Sequence, residues 1–337
     1  MAIKVKHGYS LLGHNTFGMQ VAAREFIAYD TIGDLKTVLQ SMPAHEPMLH
    51  IGQGSNLLFT KDFEGTVLHS RIRFIDLKPA IGGTVCCRVG SGVAWDDFCQ
   101  AMAQRDIFGT ENLSGIPGEV GAAAVQNIGA YGVEASDIIS TVEALEVATG
   151  RERVFSVEEC RYGYRDSIFK NELWRKYVVT AVNFRLSTLP RPQLDYGQLK
   201  ELAASGRKLT ASGIREAVVS IREAKLPNPA VLGSAGSFFK NPVVAKDDFE
   251  KLQAQYPDAP HYALDSGKVK VPAAWLIEQC GWKGKTVGGA AVYRRQPLII
   301  VNQGHATPAD VMTLASAIVQ SVVEKFHIDL HPEVNYI

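Results

Sequence analysis

The hydrophobic and polar positions of this chain switch between a period of two and a helical period. Pro47–Gly52 (PMLHIG) and Leu57–Thr60 (LLFT) read as two short buried strands around the turn-forming Gly52–Asn56 (GQGSN). Thr84–Gly92 predicts another strand. Trp95, Phe98, Cys99 and Met102 then fall at helical spacing and predict an amphipathic helix over Ala94–Ile107. Thr141–Ala148 and Arg153–Val157 read as strands joined at Thr149-Gly150, and Ser156 with Glu159 marks the start of a short helix. Lys176–Leu186 alternates like a half-buried strand. Ser187–Gly197, with Pro190 and Pro192, reads as a loop.

The composition shifts after Leu186. Ile214, Ala217, Val218 and Ile221 mark a helix that stops before Pro227-Asn228-Pro229. Ala245–Tyr256 and Pro272–Cys280 predict helices, and Thr286–Tyr293 and Leu298–Asn302 predict paired strands. Thr307-Pro308-Ala309-Asp310 is a helix start whose apolar stripe runs from Val311 to about Lys325, and the tail Ile328–Ile337 ends as a strand. Strands and helices mix without strict alternation, which favours α+β over a doubly wound sheet.

One stretch fits neither period. From Gly115 to Gly132 half the residues are Gly or Ala, in SGIPGEVGAAAVQNIGAYG. So few side chains allow a very close backbone approach, either by another helix or by a flat ligand lying on bare peptide groups, unless the stretch is a glycine-rich loop that only packs tightly. Gln126, Asn127 and Tyr131 add sparse polar anchors.

Length and charge narrow the class. The 337 residues predict about two to three domains. Lys+Arg and Asp+Glu both number 35, which argues against a general nucleic-acid or membrane-surface binder. The odd count of 5 cysteines, without a C-x-x-C pair, argues against a disulfide framework and against a zinc site. Met1–Met19 lacks a continuous apolar run, so no signal peptide is expected, and the setting is expected to be cytoplasmic.

Candidate chemistry is dispersed. The GQGSN turn is not a Rossmann fingerprint, because a strand follows where a helix is required; it is either a plain hairpin turn or a row of N–H groups for a phosphate. Arg165, beside Asp166, is either half of a surface pair or a two-pronged carboxylate clamp. Ser237 lacks a G-x-S-x-G frame and is either a turn serine or a proton donor. Glu333 is either a solvated glutamate or an inward acid. Lys225, Asn241, Lys270 and Gln296 suit an anionic sugar nucleotide, though each alone reads as a surface residue.

Taken in order, GQGSNLLF, ENLSGIPGEVGAAAVQNIGAYG, GYRDS, LPNP with GSAGSFFKNP, AAWLIEQCGWKG, GGAAV and the closing HPEV resemble the UDP-N-acetylenolpyruvoylglucosamine reductase family, from about Asn15 to the end. Gln193–Leu199 (QLDYGQL) is similar to the tyrosine-bearing loop of its longer, type I form.

The resemblance implies an α+β protein with a two-subdomain FAD-binding module of the vanillyl-alcohol-oxidase type and a separate α+β substrate-binding domain. The expected parts are 1–70, with the tail 326–337 packing back on it, then 71–213, and a substrate domain over 214–325. Noncovalent FAD would be held by Gly52, Gln53, Gly54, Ser55 and Asn56 at its pyrophosphate. Ile116, Pro117, Gly118, Gly121, Ala122, Ala123, Gln126, Asn127, Ile128, Gly129, Tyr131 and Gly132 would line the flavin.

The resemblance also implies a reaction. NADPH delivers hydride to the flavin, and UDP-N-acetylglucosamine enolpyruvate then enters the same cleft. Hydride passes to C3 of the enolpyruvyl group, giving UDP-N-acetylmuramate for peptidoglycan. Arg165 and Glu333 would stabilise the developing negative charge, and Ser237 would deliver the proton to C2. An ionised Glu333 would oppose that charge, so it is expected to carry or share a proton in the reactive complex. Substrate positions match Tyr164, Tyr196, Lys225, Asn241, Tyr262, Lys270 and Gln296, with Tyr196 as a lid. A monomer without metal, nucleic-acid or membrane partner is expected. Relatives often carry a basic residue two positions after the glutamate; here it is Asn335. The rivals are an oxidase or dehydrogenase of the same superfamily and a nonenzymatic sugar-nucleotide binder.

Overall fold

Two sheets of different construction organise the first of two compact units, which comprises Met1–Tyr9, Ala23–Gln53 and Phe63–Ala224. The computed structural model describes the whole chain except residues 1–2, 44, 196, 205–208 and 265. The first sheet has the order Val5–Ser10, Ala22–Tyr29, Phe63–Ser70, Met48–Ile51, and its last three strands run parallel. Helix Ile32–Ser41 separates two of them. It begins at a capping box in which Thr31 and Asp34 satisfy each other's backbone N–H groups. The pattern reading leaves this helix and the strands Val5–Ser10, Ala22–Tyr29 and Phe63–Ser70 unassigned.

The second sheet is antiparallel, in the order Glu152–Ser156, Ile139–Glu146, Tyr177–Ser187, Thr84–Gly90, Ile75–Leu77. The hairpin at Thr149-Gly150 and the box of Ser156 with Glu159 form as expected. Helix Trp95–Ala103 lays Trp95, Phe98, Cys99 and Met102 against this sheet. Phe98 and Phe184 pack with ring centroids 4.8 Å apart, and burying each such ring contributes roughly 1.5–3 kcal/mol. The helix is shorter than the periodicity predicts. The chain turns out of it at Asp106, where φ is +53°.

The second unit comprises Ser10–Ala22, Gly54–Asp62 and Lys225–Ile337. Its largest sheet has the order Gly233–Ser237, Ile299–Asn302, Ala290–Val292, Thr286–Val287, and helix Pro308–Phe326 contacts it. Thr286–Tyr293 is not one strand, as the pattern implies, but a hairpin around Gly288-Gly289. At Gly288 φ is +52°, and a Cβ there would collide with the carboxylate of Asp310, so only glycine fits. The start of the long helix agrees with the sequence: Thr307 and Asp310 form a capping box, with Pro308 in the first turn.

Leu57–Leu58 is only a two-residue strand. It pairs in parallel with Asn335–Tyr336, while Met48–Ile51 pairs with Phe63–Ser70. The two strands flanking Gly52–Asn56 therefore never pair with each other, and the hairpin alternative for that turn is removed. Among the described residues no helix is long and apolar enough to cross a membrane, and no cluster of His, Cys, Asp or Glu could hold a metal ion.

Candidate functional site

In the first unit the glycine-rich stretch forms a turn, a short helix and a second turn. The helix, Val120–Gln126, was not expected inside the small-residue run. One face of it is packed: Gly121 donates its N–H to Ser91 O at 3.0 Å, and a Cβ on Gly121 would lie 2.8 Å from Ser91 Cβ. Val120, Ala123 and Ala124 are buried in the core, whereas Ala122, Pro117 and Gly132 are exposed. The two readings of the glycines thus divide by position. Close packing accounts for Gly121, and for Gly115 and Gly129, which are backed by Arg222 and Arg165. The bare outer face is left open. Ile116 and Ile128 pack against the core from its two ends.

The first turn is fixed from both sides by helix Ala211–Lys225. Arg215 makes a two-pronged contact to Asp96, at 2.5 and 2.7 Å, and Asp96 Oδ1 accepts the Gly115 N–H at 2.6 Å. Arg222 Nε donates to Gly115 O at 3.1 Å. Burial works against the Asp96 carboxylate, yet Arg215 and the Gly115 N–H hold it below its ordinary range. Burial also pulls the Arg222 guanidinium down, opposed by Tyr131 and Asp96. Gln53 Oε1 accepts the N–H of Gly118, φ +133°, at 3.1 Å, so the GQ half of the GQGSN turn is laced to the glycine-rich stretch. Gly52 lies against the buried Glu119, whose other carboxylate oxygen is 2.8 Å from His69 Nε2.

The second turn is built on strained residues. Asn127 at φ +47°, Tyr131 at +50° and Arg165 at +56° all adopt the left-handed conformation, which for non-glycine residues concentrates at functional sites. Asn127 is fully buried, and its amide makes three bonds: to Glu134 Oε2 at 2.8 Å, to Gly163 O at 2.9 Å, and from the Ser136 N–H at 3.0 Å. Asn112 Nδ2 donates to Tyr131 O at 3.0 Å and to Gln193 O at 2.7 Å. Asp166 Oδ1 accepts from Asn171 Nδ2 at 2.9 Å, and Arg165 reaches back to the glycine-rich stretch. Its guanidinium donates to Gly129 O at 2.5 Å and lies over the ring of Tyr164 at 5.2 Å.

In the second unit, Gly54 at φ +68° sits where a Cβ would collide with the His14 carbonyl, and Thr16 donates its N–H to Gly54 O at 3.2 Å. Ser55 is half-buried. Asn56 Nδ2 donates to Glu333 O at 3.1 Å, and Asn335 donates to Asn56 O through its N–H at 3.0 Å and its side chain at 3.2 Å. Asn335, notable in the sequence only as a departure, thus ties the tail to the turn. Ser237 ends strand Gly233–Ser237, just after a register shift and after Gly236 at φ +71°. Glu333 donates its N–H to Phe238 O at 2.8 Å, which seats it beside the residue that follows Ser237.

The sugar-nucleotide candidates divide likewise. Tyr262 and Lys270 are directly opposed on a three-stranded sheet, so their side chains leave the same face. Asn241 Oδ1 accepts the Ala273 N–H at 2.9 Å at the start of helix Ala273–Gln279. Gln296 occupies the turn before Ile299–Asn302, where its carbonyl accepts the Ile299 N–H at 3.0 Å. Lys225 is exposed at the end of its helix. Tyr196 lies outside the described residues. Sequence reasoning did not reach Asp96, Arg215, Arg222, Glu119, His69, Thr16 or Lys170. Only Glu119, a lone acid in a run of small residues, carried a signal.

A bare outer face, a packed inner one and a main chain held by buried side chains suit a large planar cofactor. A family model described as an FAD binding domain matches residues 23–158, and one described as the C-terminal domain of UDP-N-acetylenolpyruvoylglucosamine reductase matches residues 228–337. The UDP-N-acetylenolpyruvoylglucosamine reductase of Bacteroides fragilis strain YCH46 is 52% identical over 329 residues, 98% of this chain and 99% of its own. That of Porphyromonas gingivalis strain ATCC 33277 is 45% identical over 335 residues, 99% of each. The crystal structure of the Thermus caldophilus enzyme, 25% identical, superposes with a TM-score of 0.69 and covers 100% of this chain and 99% of that one. A solvent-stable cholesterol oxidase, 10% identical with a TM-score of 0.51 over 98% of this chain and 87% of its own, shares the fold alone. FAD is therefore the cofactor, and the chain belongs to the UDP-N-acetylenolpyruvoylglucosamine reductases, flavoenzymes of peptidoglycan precursor synthesis.

Proposed function

We propose that the chain reduces the enolpyruvyl group of UDP-N-acetylglucosamine enolpyruvate with NADPH, the two ligands using one site in turn on a monomer. FAD, when bound noncovalently, supplies the ring that accepts hydride and passes it to C3. The chain's own residues handle the charge that follows. Arg165 offers a guanidinium already oriented by Gly129 O and the Tyr164 ring, which suits it to hold the substrate carboxylate as negative charge spreads onto it. Ser237 Oγ gives its proton to C2, and Glu333 shares in holding the enolate-like charge. Tyr262 and Lys270, on one face of their sheet, would hold the diphosphate with Asn241, Gln296 and Lys225, and Tyr164 and Tyr196 would complete the substrate contacts. The observation that supports the reading is the contact of the tail with the residues just after the serine strand, where the Glu333 N–H donates to the carbonyl of Phe238, the residue that follows Ser237.

The test is anaerobic. Reduction by NADPH should bleach the flavin, and added UDP-N-acetylglucosamine enolpyruvate should restore its yellow colour. A flavin reoxidised by oxygen but not by that substrate would point instead to an oxidase built on the same fold.

A further inference from the structure

Lys170 lies just beyond the GYRDS motif, at the end of the single turn Ile168–Lys170. Its ammonium reaches back to two groups, Gln126 Oε1 at 2.6 Å and the Arg165 carbonyl oxygen at 3.2 Å. An ammonium only donates, so Gln126 must turn its oxygen toward Lys170, and its Nε2 hydrogens form the opposite, donating end.

The contact belongs to a wider grip. Ser167 Oγ donates to Val125 O at 2.6 Å, Asn127 donates to Gly163 O, and Arg165 donates to Gly129 O. Turn 163–170 thus holds the end of helix Val120–Gln126 and the left-handed Asn127 that follows it. Lys170 is the cation in this grip that touches a side chain of the glycine-rich stretch and the main chain of Arg165 at once, and Arg165 is itself left-handed.

We propose that Lys170 is a positioning residue for the flavin. It sets Gln126 as a hydrogen-bond donor toward an acceptor edge of the ring and holds a positive charge one amide away. It also steadies the strained Arg165 main chain. A fixed positive charge behind a donor favours the electron-rich reduced ring. The inference rests on the proposed placement of the flavin along Gln126–Gly132.

The experiment uses the full-length protein and its reversible binding of FAD. Lys170→Met keeps the length of the side chain and removes its charge and donors. It should raise the FAD dissociation constant, read by quenching of flavin fluorescence, about tenfold, as expected for loss of a charge-assisted hydrogen bond. The midpoint potential of the bound flavin should become more negative. Lys170→Arg should recover most of both effects. Lys170→Gln should recover some affinity but not the potential, and it carries the test if Lys170→Met does not fold. In a Gln126→Ala background, Lys170→Met should change both quantities much less. An unchanged affinity and potential in Lys170→Met, or a loss undiminished in the Gln126→Ala background, would overturn the role of Lys170. Unchanged FAD binding in Gln126→Ala alone would instead remove the placement of the flavin on which the inference rests.

Discussion

The glycine-rich stretch of the first unit and the small Tyr262–Lys270 sheet of the second, proposed to meet the nucleotide, differ in how they present polar groups. In the first, the proposed ligand surface is main chain, and side chains hold it: the buried Asn127 makes three hydrogen bonds, and the half-buried Asp96 and Arg222 fix Gly115 at its N–H and its carbonyl. In the second, the proposed surface is made of side chains. Tyr262 is 46% exposed, and it and Lys270 stand on strands of two residues each. The difference fits a cofactor that stays and a substrate that comes and goes. Rigid peptide groups lose little entropy on binding, while long side chains on a small sheet must be ordered at each encounter.

The comparison is broken most sharply at Ser237. Ser237→Ala should slow reoxidation of the reduced flavin by the enolpyruvyl substrate by about 10²–10⁴-fold while leaving reduction by NADPH intact. Single-turnover absorbance of each half-reaction separates the two, and equal losses in both would place the residue in cofactor binding. Next in size is Asn127→Ala. It leaves the part-buried Gly163 O and Ser136 N–H without their partner and puts alanine at φ +47°. It should destabilise the protein by about 3 kcal/mol in urea unfolding and weaken FAD binding.

Lys270→Ala should raise KM for the UDP-sugar about tenfold without altering the visible spectrum of bound FAD. A changed spectrum would dissolve the division of labour between the regions. The smallest effect is in pH. Burial, with His69 adding to it, pushes the His50 imidazole down to about 3, where it pairs with Tyr29 Oη at 2.7 Å. The folded state then binds fewer protons than the unfolded chain below the ordinary histidine value of about 6.5. Its contribution to stability is complete above that value and is lost as the pH falls toward about 3. Urea midpoints at about pH 7.5 and about pH 5 should therefore differ, and His50→Gln should reduce the difference. An equal difference in the variant would assign the acid sensitivity elsewhere.

Much of this was open to reading in the chain, and the reasons differ by element. Helix Trp95–Ala103 and the hairpin at Thr149-Gly150 rest on periodicity and turn chemistry, which are local. The caps at Ser156 and Thr307 are equally local. The parallel strands Ala22–Tyr29 and Phe63–Ser70 are paired across a long stretch of sequence, and their partners leave no mark nearby. The helix inside Gly115–Gly132 was hidden because small residues carry no amphipathic stripe.

The residue order by itself determined the family, the cofactor class and most short-range elements, because ordered motifs, caps and periodic apolar positions are written in neighbouring residues. Only the tertiary structure decided which glycines make room for the chain itself, as Gly121 does for Ser91 and Gly54 for His14. Only it decided that Lys170 orients Gln126, and that Asn56 and Asn335 join the turn to the tail. Those are contacts between residues distant along the chain or facing one another by chance of fold, and their strength depends on burial and direction, which no single stretch of sequence specifies.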